Sequence, residues 1–167
     1  MQNPEQENLQ PAWYLKAMCT WLERIAAGKL QRSMIWIQPR TLKSFTVAVV
    51  FPCWLLGLDP SAKIMVATYG DRLSREHAQK RRQIMESDFY KRLFPNTVIA
   101  LRGNTADELR TTRGGYCLSV SVGGAVTGRG ADYIILDDCM KTDEHSSEAA
   151  REGVKSWFST ALSTRLN

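Results

Sequence analysis

Ile35-Trp36-Ile37-Gln38-Pro39-Arg40-Thr41-Leu42-Lys43-Ser44 is the stretch from which the fold is read. Its apolar start predicts a strand over Ser33–Gln38. A short turn follows, then a long, mostly apolar helix from Lys43 to Leu56 that Pro52 is expected to kink or end early. Strand, tight loop and helix N-terminus form the layout of a phosphate-binding loop. Backbone N–H groups and the helix dipole favour an anion there. The lysine neutralises β/γ-phosphate charge and the hydroxyl ligates Mg²⁺. The standard spacing is G-x-x-x-x-G-K-[ST], and here the two glycine positions hold Ile37 and Leu42. Taken alone, Lys43-Ser44 reads better as the polar opening of a solvated helix, so the functional reading needs a second motif.

Tyr133-Ile134-Ile135-Leu136-Asp137-Asp138 is that motif: an apolar strand ending in two acids. A carboxylate at the C-terminal tip of a parallel strand faces the crevice where such sheets bind ligands. Asp137 is placed to hold Mg²⁺ through its waters, and Asp138 to orient or activate an attacking water. By themselves, acids after a strand usually cap the next turn. Paired with Lys43-Ser44, 94 positions upstream, they complete a two-part nucleotide site.

Between the motifs, Lys63–Tyr69 is a nearly continuous apolar run, as buried parallel strands are. Gly57-Leu58-Asp59-Pro60 reads as a turn. Asp71–Glu86 is an amphipathic helix carrying Arg72, Arg75, Lys80, Arg81 and Arg82, either a solvated face or a surface for nucleic-acid phosphates. A short helix over Asp88–Phe94 stops at Pro95-Asn96, and Thr97–Leu101 is a candidate short strand. Arg113-Gly114-Gly115 separates two strand-like runs as a hairpin does. Gly123–Gly130 also contains G-x-x-x-x-G, with Arg129 after it. That run leads into a strand rather than a helix, so its glycines mark a sharp connection. Arg129 is either a surface charge or a phosphate sensor (an arginine finger). A last helix is predicted over Ser146–Leu162. Strands alternating with helices indicate an α/β fold with a mainly parallel sheet.

Composition sets the outer bounds. The chain has 167 residues, 44% of them hydrophobic and 23% charged, enough for one domain with a sizeable core. A net charge of +5 permits a polyanionic partner without requiring one. Cys19, Cys53, Cys117 and Cys139 are scattered in apolar contexts and read as buried free thiols in a reducing compartment. Only His77 and His145 are present, which argues against a histidine metal site or a Ser-His-Asp hydrolase. Met1–Gln10 is polar and reads as a flexible terminus, and no run is apolar enough to predict a membrane span. Pro11–Ala27 reads as a helix with Trp13, Ala17, Met18, Trp21, Leu22 and Ile25 at helical spacing, closed by Gly28.

In order and spacing, the chain resembles the ATPase half of the large terminase subunit, the motor that packages DNA in tailed bacteriophages. The matching pieces are Ile37–Ser44, Ala67-Thr68-Tyr69, Leu93-Phe94-Pro95, Val122-Gly123-Gly124, Thr127–Asp132, Ile135–Asp138 and Ser163–Leu166. The resemblance implies a P-loop NTPase of the additional-strand, RecA-like type: a three-layer sandwich around a mainly parallel sheet. It implies ATP and Mg²⁺ as cofactors, held by Pro39, Arg40, Thr41, Leu42, Lys43 and Ser44, with Ser44 and Asp137 on the metal. Asp138 stands where many relatives have a catalytic glutamate, and Arg40 is a candidate for the γ-phosphate. The implied partners are double-stranded DNA, the small terminase subunit, the portal and further copies in a ring, in the cytoplasm of a bacterial host. The expected organisation is a flexible 1–10 and an ATPase domain over 11–167, truncated before the coupling motif and nuclease domain of the family, so no nuclease activity is expected. The alternative is a non-catalytic, phage-derived DNA-binding or assembly fragment.

Overall fold

The computed structural model describes residues 12–124, 126, 128–141 and 147–167. Met1–Gln10, expected to be a flexible terminus, lies outside the described residues, as do Pro11, Ala125, Thr127 and Ser146. The chain divides into two compact units, residues 1–41 and 42–167.

In the first unit, α1 spans Trp13–Ala26 and buries Met18 and Leu22. Gly28 ends it with φ +69°. Its N–H reaches Ile25 O, and the Lys29 N–H reaches Arg24 O, each at 2.9 Å. This paired pattern is the Schellman closure that a left-handed glycine permits. The aromatic stripe is less buried than its spacing implied. Trp13 is exposed, and Trp21 donates its indole N–H to Ser33 while lying under the Arg24 guanidinium. The strand expected over Ser33–Gln38 is absent, because the sheet is formed by other segments. Met34 and Trp36 are exposed, and Ile35 and Ile37 are half-buried. The period-2 pattern is there, but a strand needs a ladder as well as a pattern.

The second unit is α/β. Lys43 opens a helix that runs as a π-helical segment, Phe45–Val50, into α2, Phe51–Leu58. Pro52 neither ends nor breaks it, sitting in the first turn of α2 after the wider π turn. The turn expected at Gly57 begins only after Leu58. Then come β1 (Lys63–Thr68), α3 (Asp71–Glu86), α4 (Asp88–Leu93), β2 (Glu108–Arg110), β3 (Tyr116–Ser121), β4 (Tyr133–Asp137) and α5 (Glu148–Trp157). The chain closes with a π-helical Phe158–Leu162 and a 3₁₀ turn, Ser163–Arg165.

The sheet order is β2-β3-β1-β4. β1 is parallel to both β3 and β4, and β2 returns antiparallel onto β3 through the Thr111–Gly115 hairpin. Alternation then sets the two faces. Met65 and Ala67 pack with Val120, Val126, Ala131 and Leu162, with Trp157 beside them, so the C-terminal helix covers one face. Ser119, on the other face, meets Arg81 of α3. Helices therefore lie against both faces of an open, mainly parallel sheet.

Arg81 organises the α3 side. It lies on the stripe Ser74, His77, Arg81, Met85 that α3 buries. Its guanidinium donates to Ala48 O at 2.5 Å and to Ser119 Oγ. Ala48 is the residue whose carbonyl the N–H four positions on would take in an α-helix, and that position is Pro52, which has no N–H. The other cations of α3 are partly tied up as well. Arg72 pairs with Glu76, Arg75 with Asp107, and Arg82 donates to Thr105 O. The cysteines are free thiols: Cys53 and Cys117 are buried, Cys139 is half-buried and Cys19 is exposed, against the expectation for the last. Burial pushes the Cys53 thiol far up from its ordinary range.

Gly57 is fixed by close approach. A Cβ there would lie 2.6 Å from the Phe94 ring, which also packs on Tyr90 at 5.0 Å between centroids. Gly57→Ala should therefore destabilise the protein by roughly 1–3 kcal/mol, the usual cost of overpacking. Gly153→Ala, in α5 with open space around it, should instead gain about 0.5–1 kcal/mol through helix propensity. Thermal melting of the two variants beside wild type tests both signs.

Candidate functional site

The C-terminal ends of β1 and β4 lie side by side, with Thr68 paired to Asp137. Just beyond them, the Tyr69 N–H donates to Asp138 O at 2.9 Å. Asp137 is 2% exposed at its side chain. Lys43 Nζ lies 2.6 Å from Asp137 Oδ1 and 3.2 Å from Asp138 Oδ1. Ser44 donates its hydroxyl to the same Asp137 Oδ1 at 3.1 Å. Two residues at the start of one helix thus converge on a carboxylate at the tip of a distant strand.

Burial by itself would lower the Lys43 ammonium. The hydrogen bond and charge of Asp137, then the charge and hydrogen bond of Asp138, outweigh it, and the net shift is upward from 10.5. A lysine raised in this way contributes its pairing below 10.5 and loses it as pH rises through the raised value. The Lys43 ammonium is therefore charged throughout the neutral range.

The helix start has the geometry of an anion site. Its first turn closes from the Thr46 N–H to Leu42 O at 2.8 Å. The N–H groups of Lys43, Ser44 and Phe45 consequently have no acceptor within the helix. Leu42, where the standard motif has its second glycine, has φ +60°. A left-handed conformation costs a branched residue about 1–2 kcal/mol. Asp138, with φ +45°, shares that conformation across the site. Such residues cluster where function holds them.

Pro39, Arg40 and Thr41 close the other unit. There Arg40 has φ +64° and Thr41 donates to Gln38 O at 2.7 Å. Arg129 sits at the opposite end of the sheet from Asp137. It pairs with buried Glu108 at 3.2 Å and lies over the ring of Tyr116, the first residue of β3. Strands rise about 3.3 Å per residue, so the length of β3 places it roughly 16 Å from the strand tips.

Thr68, His77 and Cys139 were not assigned to the site from the sequence. Thr68 Oγ1, His77 Nδ1 and Asp137 Oδ2 are buried and lack hydrogen-bond partners among the described residues. His77 lies on the buried stripe of α3, where burial lowers its imidazole and Asp137 pulls it back up. Cys139 follows the acids, its thiol pushed up to about 11 by burial and then by Asp137 and Asp138. A hydroxyl ending the apolar strand Lys63–Thr68 was the available signal for the first. The i, i+3 spacing of Ser74 and His77 was the signal for the second.

A buried carboxylate oxygen without a partner, beside a serine hydroxyl, is a hard-oxygen donor set that fits Mg²⁺. Among the described residues no cluster of three or more His, Cys, Asp or Glu could hold a metal alone. Mg²⁺ here would therefore take Asp137 and Ser44 together with waters and phosphate oxygens, its usual mode. No helix among the described residues is long and apolar enough to cross a membrane. Comparison of the sequence with protein-family models and with curated proteins finds no match.

Lys43→Met would strand a buried carboxylate without its counter-charge. The expected loss is roughly 2–3 kcal/mol, below the fully buried range because Lys43 keeps 26% of its side chain in water. Lys43→Met/Asp137→Asn should recover at least half of it. Urea unfolding of the two single variants and the double checks this coupling, and strict additivity would refute it. Leu42→Gly removes the left-handed strain and should raise stability by about 1 kcal/mol.

Proposed function

We propose that the second unit is a nucleotide-binding module that takes ATP with Mg²⁺ at Lys43, Ser44 and Asp137. One observation carries the reading: Lys43 Nζ and Ser44 Oγ meet on Asp137 Oδ1 at the C-terminal end of a parallel strand. Open parallel sheets bind ligands at that end. In this reading the free N–H groups of the first helical turn and the Lys43 ammonium bind the β- and γ-phosphates. Bound Mg²⁺ neutralises phosphate charge. Asp137 and Ser44 hold it, and the exposed Asp138 carboxylate orients water. Pro39, Arg40 and Thr41 enter through the sequence motif alone, with Arg40 assigned to the γ-phosphate on that basis.

The finer assignment is the ATPase module of a terminase-type motor for double-stranded DNA, with an additional-strand P-loop fold. The order of its sequence motifs supports it, as does a mainly parallel sheet with helices on both faces. A small terminase subunit, a portal and a ring of copies belong to the same assignment. The rival reading, a DNA-binding fragment acting through α3, is weakened by Arg81, which is buried against Ala48 and Ser119.

Ligand-dependent melting tests the site. At a hundredfold excess over Kd, ATP·Mg²⁺ should stabilise the protein by about 2.7 kcal/mol, and Lys43→Met should remove that increment. Equal stabilisation of wild type and Lys43→Met would overturn the assignment.

A further inference from the structure

Away from the strand tips, a cavity of about 520 Å³ opens between the C-terminal end of α3, α4 and residues 94–104, lined in part by Met85, Phe94, Val98, Ile99 and Leu101. Its walls are anchored. Tyr90 donates to Cys53 O at 2.7 Å, and Thr97 donates to Leu56 O at 3.0 Å. The floor is a short strand-like segment added to the outer side of β2. Ile99 bridges Thr111 in antiparallel fashion, Ala100 N–H donates to Arg110 O, and Thr112 N–H donates to Val98 O, both at 2.8 Å. Val98 and Ala100 thus turn their backbone groups towards β2. By strand alternation Ile99 turns its N–H and C=O outward, at the edge of the sheet.

That edge carries large apolar side chains in water: Val98 is 52% exposed and Leu101 fully so. Edges of this kind are normally short, charged or covered. The charges around it are mostly of one sign. Arg82 and Lys91 line the cavity against a single acid, Glu86, and Arg102 adjoins Leu101. Lys91 and Arg102 are exposed and have no ion-pair partner among the described residues.

The geometry points to a docking site for an acidic, extended peptide segment of a partner protein. Its backbone adds to the edge at Ile99, its apolar side chains cover Val98 and, past the end of the paired segment, Leu101, and its carboxylates meet Lys91 and Arg102. Pockets for alternate side chains beside main-chain pairing are the general mode of strand addition. The apolar edge favours a peptide over a nucleic acid, whose phosphates would use the cations and leave Val98 and Leu101 wet. The site is independent of the Lys43–Asp137 reading.

Fluorescence anisotropy of the full chain tests it with three labelled probes: a seven-residue peptide alternating glutamate and isoleucine, the same peptide with lysine for glutamate, and a duplex DNA. The acidic peptide should bind at least tenfold more tightly than the other two and slow amide exchange at Ile99. Lys91→Glu/Arg102→Glu should weaken it at least tenfold with unchanged melting, since both side chains are exposed. Leu101→Asp should weaken it comparably. Absence of acidic-peptide binding would overturn the proposal. So would DNA or the lysine peptide binding as tightly, or a charge-reversed variant binding like wild type.

Discussion

A carboxylate 2% exposed at the end of a buried strand is costly unless an opposite charge reaches it. Lys43 is that charge, and reaching Asp137 fixes where its helix begins. The helix must start over the tips of β1 and β4, with its unbonded N–H groups gathered beside the acids. Leu42 must turn left-handed to let it do so. The two left-handed residues, Leu42 and Asp138, each adjoin a member of this cluster of one lysine and two acids. The arrangement is also polarised, because only one oxygen of Asp137 is engaged by Lys43 and Ser44, while Oδ2 is buried and has no hydrogen-bond partner among the described residues.

The helix that carries Lys43 is secured a turn later by a second charge. Pro52 denies Ala48 its ordinary donor, and Arg81 supplies one from α3 while holding Ser119 of β3. The π-helical turn, the proline and the arginine form one unit. The wider turn admits the proline, and the guanidinium satisfies the carbonyl beside it. This contact ties the helix of the candidate site to the sheet on which Asp137 sits, through neutral oxygen acceptors rather than a carboxylate.

Much of this was legible in the sequence, and the failures have definite causes. The α3 boundaries, the hairpin at Arg113-Gly114-Gly115 and the strand ending in Asp137 followed from periodicity and turn residues. Lys43, Ser44 and Asp137 were linked by motif logic, and the structure places them within hydrogen-bond reach. Ser33–Gln38 failed because alternation reports a suitable face, not a partner. Pro52 misled because the π turn that precedes it leaves no mark in hydrophobic periodicity. Arg81 was grouped with surface cations by its charge, although its spacing from Ser74, His77 and Met85 already put it on the buried stripe. Left-handed Leu42 was hidden for the opposite reason: a branched side chain argues against the conformation that the site imposes.

Arg129 shows a topological constraint that local motif reading overlooks. Asp137 follows it by only eight positions, which suggested proximity to the acids. Yet β3 and β4 are both parallel to β1, so the connection between them must travel the length of the sheet before β4 can begin. A residue just before β4 therefore belongs at the strands' N-terminal end. There Arg129 completes a cluster in which Glu108, buried at the start of β2, binds both Arg110 and Arg129 beside Tyr116. The strand direction that gathers Lys43, Ser44, Thr68 and Asp137 at one end is the same feature that holds Arg129 at the other. Lys43 is a cation that stands at the strand tips, held there by Asp137 and Asp138.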